Sequence, residues 1–473
     1  MERRLNKIFL KSLLEKENSI VTTEEALKWI KRQNSIIKVE VEQIAFSELE
    51  SWGFNDSSLS HHSGKFFSID GLSVTTNYGG KHQWNQPIIN QPEIGYLGFI
   101  TKEFNGVLHF LMQAKVEPGN INYVQLSPTL QATKSNYSRV HKGKAPAYLE
   151  YFQKATRENI LLDQLQSEQG GRFLKKRNRN IIINVKEELE VLENFMWLSL
   201  AQIKELMLID NIVNMDTRTV ISGIPLGNFE YESLSLVSSI SEISSHEFNK
   251  GLLKSCANDA KGINTLNDVI LFITNHKCNF ELDVTKIPLS ALNDWVIDNT
   301  SIHHIDHKYF EIIAAKIKIS NREVINWTQP MVKPAQDGIC AFICKNINGV
   351  LHFLVQAKLE CGNFDIIELA PTVQSLTEKF TAKSENPIPY LNYVLEATED
   401  KILFDTLQSE EGGRFYREQN RNMIVFADSG FAEEIPDNFI WMTYSQLQTF
   451  IKHNNYINIQ ARSLMAALSF NLC

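Results

Sequence analysis

Gly106-Val-Leu-His-Phe-Leu-Met-Gln-Ala-Lys115 is written a second time, 243 residues on, as Gly349-Val-Leu-His-Phe-Leu-Val-Gln-Ala-Lys358, with Met112 against Val355 as the one difference. An asparagine, Asn105 or Asn348, precedes each copy. Asn-Gly between two apolar runs is the strongest short signal for a two-residue β-hairpin turn. The runs 96–102 and 107–115 are therefore read as paired strands. Period two puts Val107, His109, Leu111, Gln113 and Lys115 on one face. Leu108, Phe110, Met112 and Ala114 take the other, which is expected to face the core.

Other blocks repeat at nearly the same offset. Trp84-Asn-Gln-Pro87 matches Trp327-Thr-Gln-Pro330, and Leu126-Ser-Pro-Thr129 matches Leu369-Ala-Pro-Thr372. Gln166-Ser-Glu-Gln-Gly-Gly-Arg-Phe173 matches Gln408-Ser-Glu-Glu-Gly-Gly-Arg-Phe415, followed by Asn178-Arg-Asn180 and Asn420-Arg-Asn422. The period is too long for a solenoid and means two copies of one domain. The expected division is 1–228, a connector at 229–250 whose stretch 232–245 holds seven serines, and 251–473. Within copy one, apolar spacing predicts a helix over 147–166 stopped by Gly170-Gly171, a buried strand at 181–183, and a helix after an N-cap at Ser199. The expected fold class is α+β, a mixed sheet flanked by helices in each copy.

Composition sets the bounds. At 473 residues, 43% apolar and 22% charged, the chain suits two to three folded domains, by the rule of about 150 residues each, and does not suit a disordered one. Lys plus Arg number 47 against 55 Asp plus Glu, a formal charge of −8, which argues against general nucleic-acid binding. No apolar run is long enough to span a bilayer, and the start lacks the apolar stretch of a secretory signal. Six scattered cysteines without a CxxC pair read as reduced thiols, so the expected location is the cytoplasm, with no membrane partner. No dinucleotide fingerprint, Walker loop, HExxH, GxSxG or metal-type His/Cys cluster occurs.

What stands out is polar density at fixed places. Amides, hydroxyls and occasional cations suit a ligand with many hydroxyls and a phosphate. The candidates are Trp84 and Gln86; then Gln113 and Asn120; then Gln125, Ser127, Thr129, Gln131, Thr133, Asn136 and Arg139; then Glu168 and Arg172. Copy two offers Trp327, Gln356, Lys358, Asn363, Thr372 and Arg414. The plainer reading is that such residues cap turns and satisfy buried backbone. Their recurrence in two copies whose flanks diverge favours binding.

The blocks WNQPIINQPEIGYLGF, LMQAKVEPGNINYVQLSPTLQATKSNYSRVHKG and QSEQGGRF of copy one, with HFLVQAKLECGN, APTVQ and QSEEGGRFY of copy two, resemble the NDP-hexose 2,3-dehydratase family. The resemblance runs along nearly the whole chain. It implies two tandem Nudix-like domains, a homodimer, a dTDP-4-keto-6-deoxyhexose substrate, and neither nicotinamide nor metal cofactor. A downstream 3-ketoreductase partner follows from the same family logic. The Glu-rich Nudix box is absent, which disfavours diphosphate hydrolysis. A nucleotide-sugar binding protein without turnover is the other alternative.

The implied reaction takes the proton from carbon 3, acidified by the carbon 4 ketone, and expels the carbon 2 hydroxyl. It needs a base, an acid and a stabilised enolate. Copy one keeps Tyr137, Arg139 and His141 where copy two diverges, so the working site is expected there. Tyr137 and His141 are the proton-transfer candidates, with Glu117 and Glu168 as alternative bases. Lys115 faces the diphosphate or the enolate oxygen, and Arg172 either the diphosphate or Glu168. Trp84 or Tyr137 stacks on a base or sugar. Copy two would then be a supporting or vestigial nucleotide-sugar site.

Overall fold

The computed structural model describes residues 2–15, 19–134, 145–227, 246–257, 260–320, 325–375, 388–470 and 472. Tyr137, His141, Asn136 and Arg139, and the serine-rich stretch 232–245, lie outside the described residues.

The hairpin forms as its turn dictates. Asn105 and Gly106 take φ of 51° and 76°, and Asn348 and Gly349 take 53° and 77°. Positive φ at both central residues is what such a turn requires. Gly95–Phe104 and Val107–Val116 are the strands it joins. Around them stands a seven-stranded sheet in the order Ile160–Ser167, Arg177–Asn184, Gly95–Phe104, Val107–Val116, Phe195–Ser199. Val124–Ser127 and Leu130–Ala132 add to the two hairpin strands. Arg177–Asn184 runs parallel to Gly95–Phe104 and its other neighbours antiparallel, so the sheet is mixed. The second repeat builds the same sheet on Gly338–Ile347 and Val350–Lys358.

Two expectations need correction. Val107–Val116 is central and covered on both faces: Leu108, Phe110 and Met112 join one apolar cluster and Leu111 another. His109 is fully buried, its Nδ1 2.9 Å from the Val107 carbonyl oxygen. The segment 147–166 is not one helix. Leu149–Gln153 is a single short helix, and the chain turns at Asn159, whose Oδ1 accepts from Thr156 N at 2.7 Å. It then runs out as the strand Ile160–Ser167. Apolar spacing at Tyr148, Tyr151 and Phe152 continues into Leu162 and Leu165 by coincidence of two periods. Gly170-Gly171 sits in the turn after that strand. Ser199 does cap the helix Leu200–Leu206, accepting from Gln202 N in a capping box.

Each repeat also has a smaller, five-stranded antiparallel sheet, and here the repeats interlock. Val39–Ile44 pairs with Phe310–Ile319 of the second repeat, Val39 opposite Ile319 and Ile44 opposite Ala314. Leu282–Ile287 returns the exchange, pairing with Ser68–Thr76 of the first. One apolar cluster draws Trp52, Leu59, Ile69 and Phe173 together with Ile302, Ile312, Val332 and Phe415. The Phe173 and Phe415 rings meet edge to face at 5.7 Å. Burying such a ring contributes roughly 1.5–3 kcal/mol, so separating the repeats would expose core.

The backbone contacts of this junction are reciprocal. Gly119 N donates to Gly412 O at 2.7 Å and Gly119 O accepts from Arg417 N at 2.7 Å; Gly362 N donates to Gly170 O at 2.8 Å and Gly362 O accepts from Lys175 N at 2.7 Å. A Cβ on Gly119 would stand 1.6 Å from Phe415 O, and one on Gly362 1.9 Å from Phe173 O. Glycine is needed there for close approach. The Glu-x-Gly-Asn turn of each repeat thus docks on the Gly-Gly-Arg-Phe turn of the other. No helix among the described residues is long and apolar enough to cross a membrane.

Candidate functional site

Lys115, near the end of Val107–Val116, and Glu117 just past it come together, Nζ 3.7 Å from Oε1. Gln131, on the neighbouring Leu130–Ala132, donates Nε2 to the same Glu117 oxygen at 2.7 Å. Its Oε1 accepts from Ser127 Oγ at 2.9 Å and Asn214 Nδ2 at 3.3 Å. Lys115 Nζ also donates to the Gln131 carbonyl at 3.4 Å. Four residues singled out from the sequence therefore form one network, and Asn214 joins it. Gln113 lies two residues from Lys115 on the same strand, half-buried.

Asn214 is also the N-cap of the helix Met215–Ile221, and this brings in Asp216. That carboxyl is 3% exposed and, among the described residues, accepts no hydrogen bond. Burial raises its pKa well above the usual carboxylate range, and Glu117, Glu168 and Glu411 push the same way against Lys115. Glu411 comes from the Gly-Gly turn of the second repeat. It is half-buried and pushed up to about 7, by burial first and then by Glu117, while Arg414 pulls the other way. Its Oε1 accepts from Gly413 N at 2.9 Å. Glu168 is raised by burial, opposed by Arg462 and Lys176, and takes a 2.6 Å hydrogen bond from Asn178 Nδ2. The site is thus a buried cluster of mixed charge drawn from both repeats: Lys115, Glu117, Glu168, Lys176 and Asp216 from one, Glu411 and Arg414 from the other. Among the described residues, no three His, Cys, Asp or Glu come together as a metal-ligand set.

The remaining candidates lie further out. Thr129 Oγ1 donates to Leu111 O at 2.5 Å and accepts from Ile100 N at 2.9 Å, stitching two strands, and Thr372 does the same with Leu354 and Ile343. Gln125 is buried and donates across the repeats to Ser409 Oγ at 2.6 Å. Trp84 Nε1 donates to Gln86 Oε1 at 2.9 Å, and Gln86 Nε2 to Gly171 O at 3.1 Å, so this pair holds the Gly-Gly turn. Trp327 and Gln329 repeat the arrangement on Gly413. Asn120 donates to Tyr123 O at 3.1 Å and abuts Gly412. Thr133 is half-buried just after the strand that carries Gln131. Arg172 pairs with Glu418 at 3.8 Å rather than with Glu168, its guanidinium 4.0 Å above the Phe310 ring.

The second repeat copies the frame. Gln374 Nε2 donates to Glu360 Oε1 at 3.0 Å, Asn458 Nδ2 to Gln374 Oε1 at 2.6 Å, and Lys358 Nζ to the Gln374 carbonyl at 3.4 Å. Gln356 Nε2 donates to Pro371 O at 2.7 Å. It copies Glu168 as Glu410 but changes other ionisable groups: Gln460 stands where Asp216 does, Gln169 where Glu411 does, and Glu418 where Lys176 does. The amides of Gln169, Gln460 and Asn363 are buried with both polar atoms unpartnered among the described residues. Asp216, Glu411 and Lys176 escaped a reading that looked for what repeats. The signal was the opposite one, single changes inside otherwise matching blocks.

The comparisons with known proteins fit this doubled architecture. The profile described as NDP-hexose 2,3-dehydratase matches residues 23–224 and again 266–468. The chain belongs to the NDP-hexose 2,3-dehydratase family. It is 42% identical over 463 residues, 97% of its length and 94% of the relative's, to a Saccharopolyspora spinosa protein named dTDP-4-dehydro-6-deoxy-alpha-D-glucopyranose 2,3-dehydratase. Proteins of the same name from Amycolatopsis orientalis and Streptomyces violaceoruber are each 38% identical, covering 94% and 93% of the chain and 90% and 95% of those relatives. In this 2,3-dehydratase family member both matched regions contribute to the charged cluster, since Glu411 and Arg414 lie in the second.

Proposed function

We propose that the chain removes water from dTDP-4-keto-6-deoxy-D-glucose, giving a 3,4-diketo-2,6-dideoxy sugar nucleotide. Similarity along 93–97% of the chain to relatives named for that activity carries the reading. The charged cluster supports it with an ammonium group, Lys115, among carboxyls of raised pKa. In this account Lys115 meets the enolate oxygen on carbon 4, a developing charge that fixed donors stabilise best. Glu117, held by Gln131, keeps Lys115 in place. Tyr137 donates to a sugar oxygen and His141 relays protons between the site and water. Trp84 and Gln86 shape the turn beside the nucleotide, and Arg172 and Arg414 are candidates for its diphosphate. Elimination next to a ketone calls for no redox cofactor.

The finer readings belong to the same proposal. Each mixed sheet is read as Nudix-like, the repeats as domains with limits near 228 and 250, and the protein as a cytoplasmic homodimer. The diketo product calls for a reductase acting at carbon 3. The second repeat, with Trp327, Lys358 and Asn363, is read as a nucleotide-sugar site that supports the first. Incubation with dTDP-4-keto-6-deoxyglucose, followed by mass, tests the activity. Loss of 18 daltons, the mass of one water, is expected. An unchanged mass would leave only binding, and release of dTMP would mean hydrolysis.

A further inference from the structure

The side chains that distinguish the two repeats point to the atoms that move the protons. We propose that Glu411, delivered by the second repeat, is the base that takes the carbon 3 proton, and that Asp216 is the acid that protonates the departing carbon 2 hydroxyl. The inference rests on the dehydratase reading and deepens it.

Three observations carry it. Asp216 is 3% exposed and, among the described residues, accepts no hydrogen bond, so its carboxyl carries none of the bracing duty of Glu117 and Gln131 beside it. Geometry brings both to Lys115 and Glu117: Gly412, next to Glu411, abuts the Glu117 side chain (a Cβ there would be 2.9 Å from Glu117 Cβ), and Asp216 lies in the first turn of the helix whose cap, Asn214, holds the Gln131 that holds Glu117. In the second site the positions of Glu411 and Asp216 hold Gln169 and Gln460, amides that cannot exchange a proton, while the carboxyls found there, Glu410 and Glu418, lie against Arg172.

The surroundings divide the roles. Glu411 Oε1 accepts from Gly413 N and Arg414 lies near, both favouring the ionised form. Asp216 accepts no such hydrogen bond among the described residues, has only Lys115 favouring its ionised form, and is the more enclosed, so the shared proton rests on it. Glu411 takes the proton of the C3–H bond, whose electrons pass into the C3–C4 enolate. The C2–O bond breaks as C2=C3 forms, and Asp216 gives its proton to the leaving oxygen, releasing water. The enol then loses its O3 proton and gains one at carbon 2. The carboxyl pair starts and ends with one proton between them.

The test runs the full chain in D2O with dTDP-4-keto-6-deoxyglucose, reading deuterium at carbon 3 of recovered substrate, water loss, and dTDP affinity. Glu411→Gln should lose both exchange and dehydration, each by about 100-fold or more. Asp216→Asn should keep exchange while dehydration falls by about 100-fold or more. Both should retain dTDP binding. Exchange at the parent rate in Glu411→Gln, or dehydration at the parent rate in Asp216→Asn, overturns the assignment. Should either variant fail to fold or bind, Glu411→Asp and Asp216→Glu decide: slowed but measurable dehydration supports it, and parent rates overturn it. A parent protein that neither exchanges nor dehydrates would instead remove the underlying dehydratase reading.

Discussion

The two repeats hold the same frame around different chemistry. In each, a lysine and a glutamate at the end of the hairpin strand are braced by a glutamine, itself braced by the asparagine cap of a helix. The first presents Asp216 and Glu411 to that frame where the second presents Gln460 and Gln169, and the second instead gathers Glu410 and Glu418 about Arg172. Positioning survives duplication because it is also packing: the braces tie strands to helices and the Gly-Gly turns to the opposite repeat. On the proposal above, proton transfer by Asp216 and Glu411 has no such second duty, so one copy can lose it without cost to the fold. The reciprocal docking then makes the first site dependent on the second repeat, which supplies Glu411 and Arg414.

The largest effect that would break this contrast is at the lysines. Lys115→Met should lower kcat by about 10²–10³-fold, the usual cost of one oxyanion donor. Lys358→Met should cost less than about tenfold by the same measure. Steady-state rates that fall equally in both would mean that the repeats share the work. Next in size is pH. A base must be ionised, and Glu411 is pushed up to about 7. Turnover should therefore fall about tenfold per unit as pH drops below about 7, and Glu411→Asp should shift that limb. A flat profile from pH 5 to 8 would exclude Glu411 as the base. The smallest effects sharpen the symmetry itself. Gly119→Ala and Gly362→Ala each drive a Cβ into a backbone carbonyl. Each should cost about 1–3 kcal/mol, the range for overpacking, read as matched falls in thermal midpoint. A large loss in one alone would show that the junction is not equivalent at its two ends.

Local features were legible in the sequence and distant ones were not. Asn105-Gly106 announces its hairpin because turn geometry is decided by two residues. Ser199 announces its cap for the same reason. The exchange of Val39–Ile44 for Leu282–Ile287 is invisible, since each strand's partner lies more than 190 residues away and no local pattern marks it. The predicted helix over 147–166 failed because two short apolar patterns abut at Asn159. In the site, Lys115, Glu117, Ser127 and Gln131 drew attention as repeated polar residues and the structure joins them. Thr129 drew attention equally, yet its hydroxyl serves the sheet. Asp216 and Glu411 were hidden by a search for likeness, because their significance lies in a difference.

Rewriting the first site with the side chains of the second gives the most direct test of that difference. The variant Asp216→Gln, Glu411→Gln should still bind dTDP with near-parent affinity, while single-turnover loss of water from the 4-keto sugar disappears. Water loss at the parent rate would contradict the account.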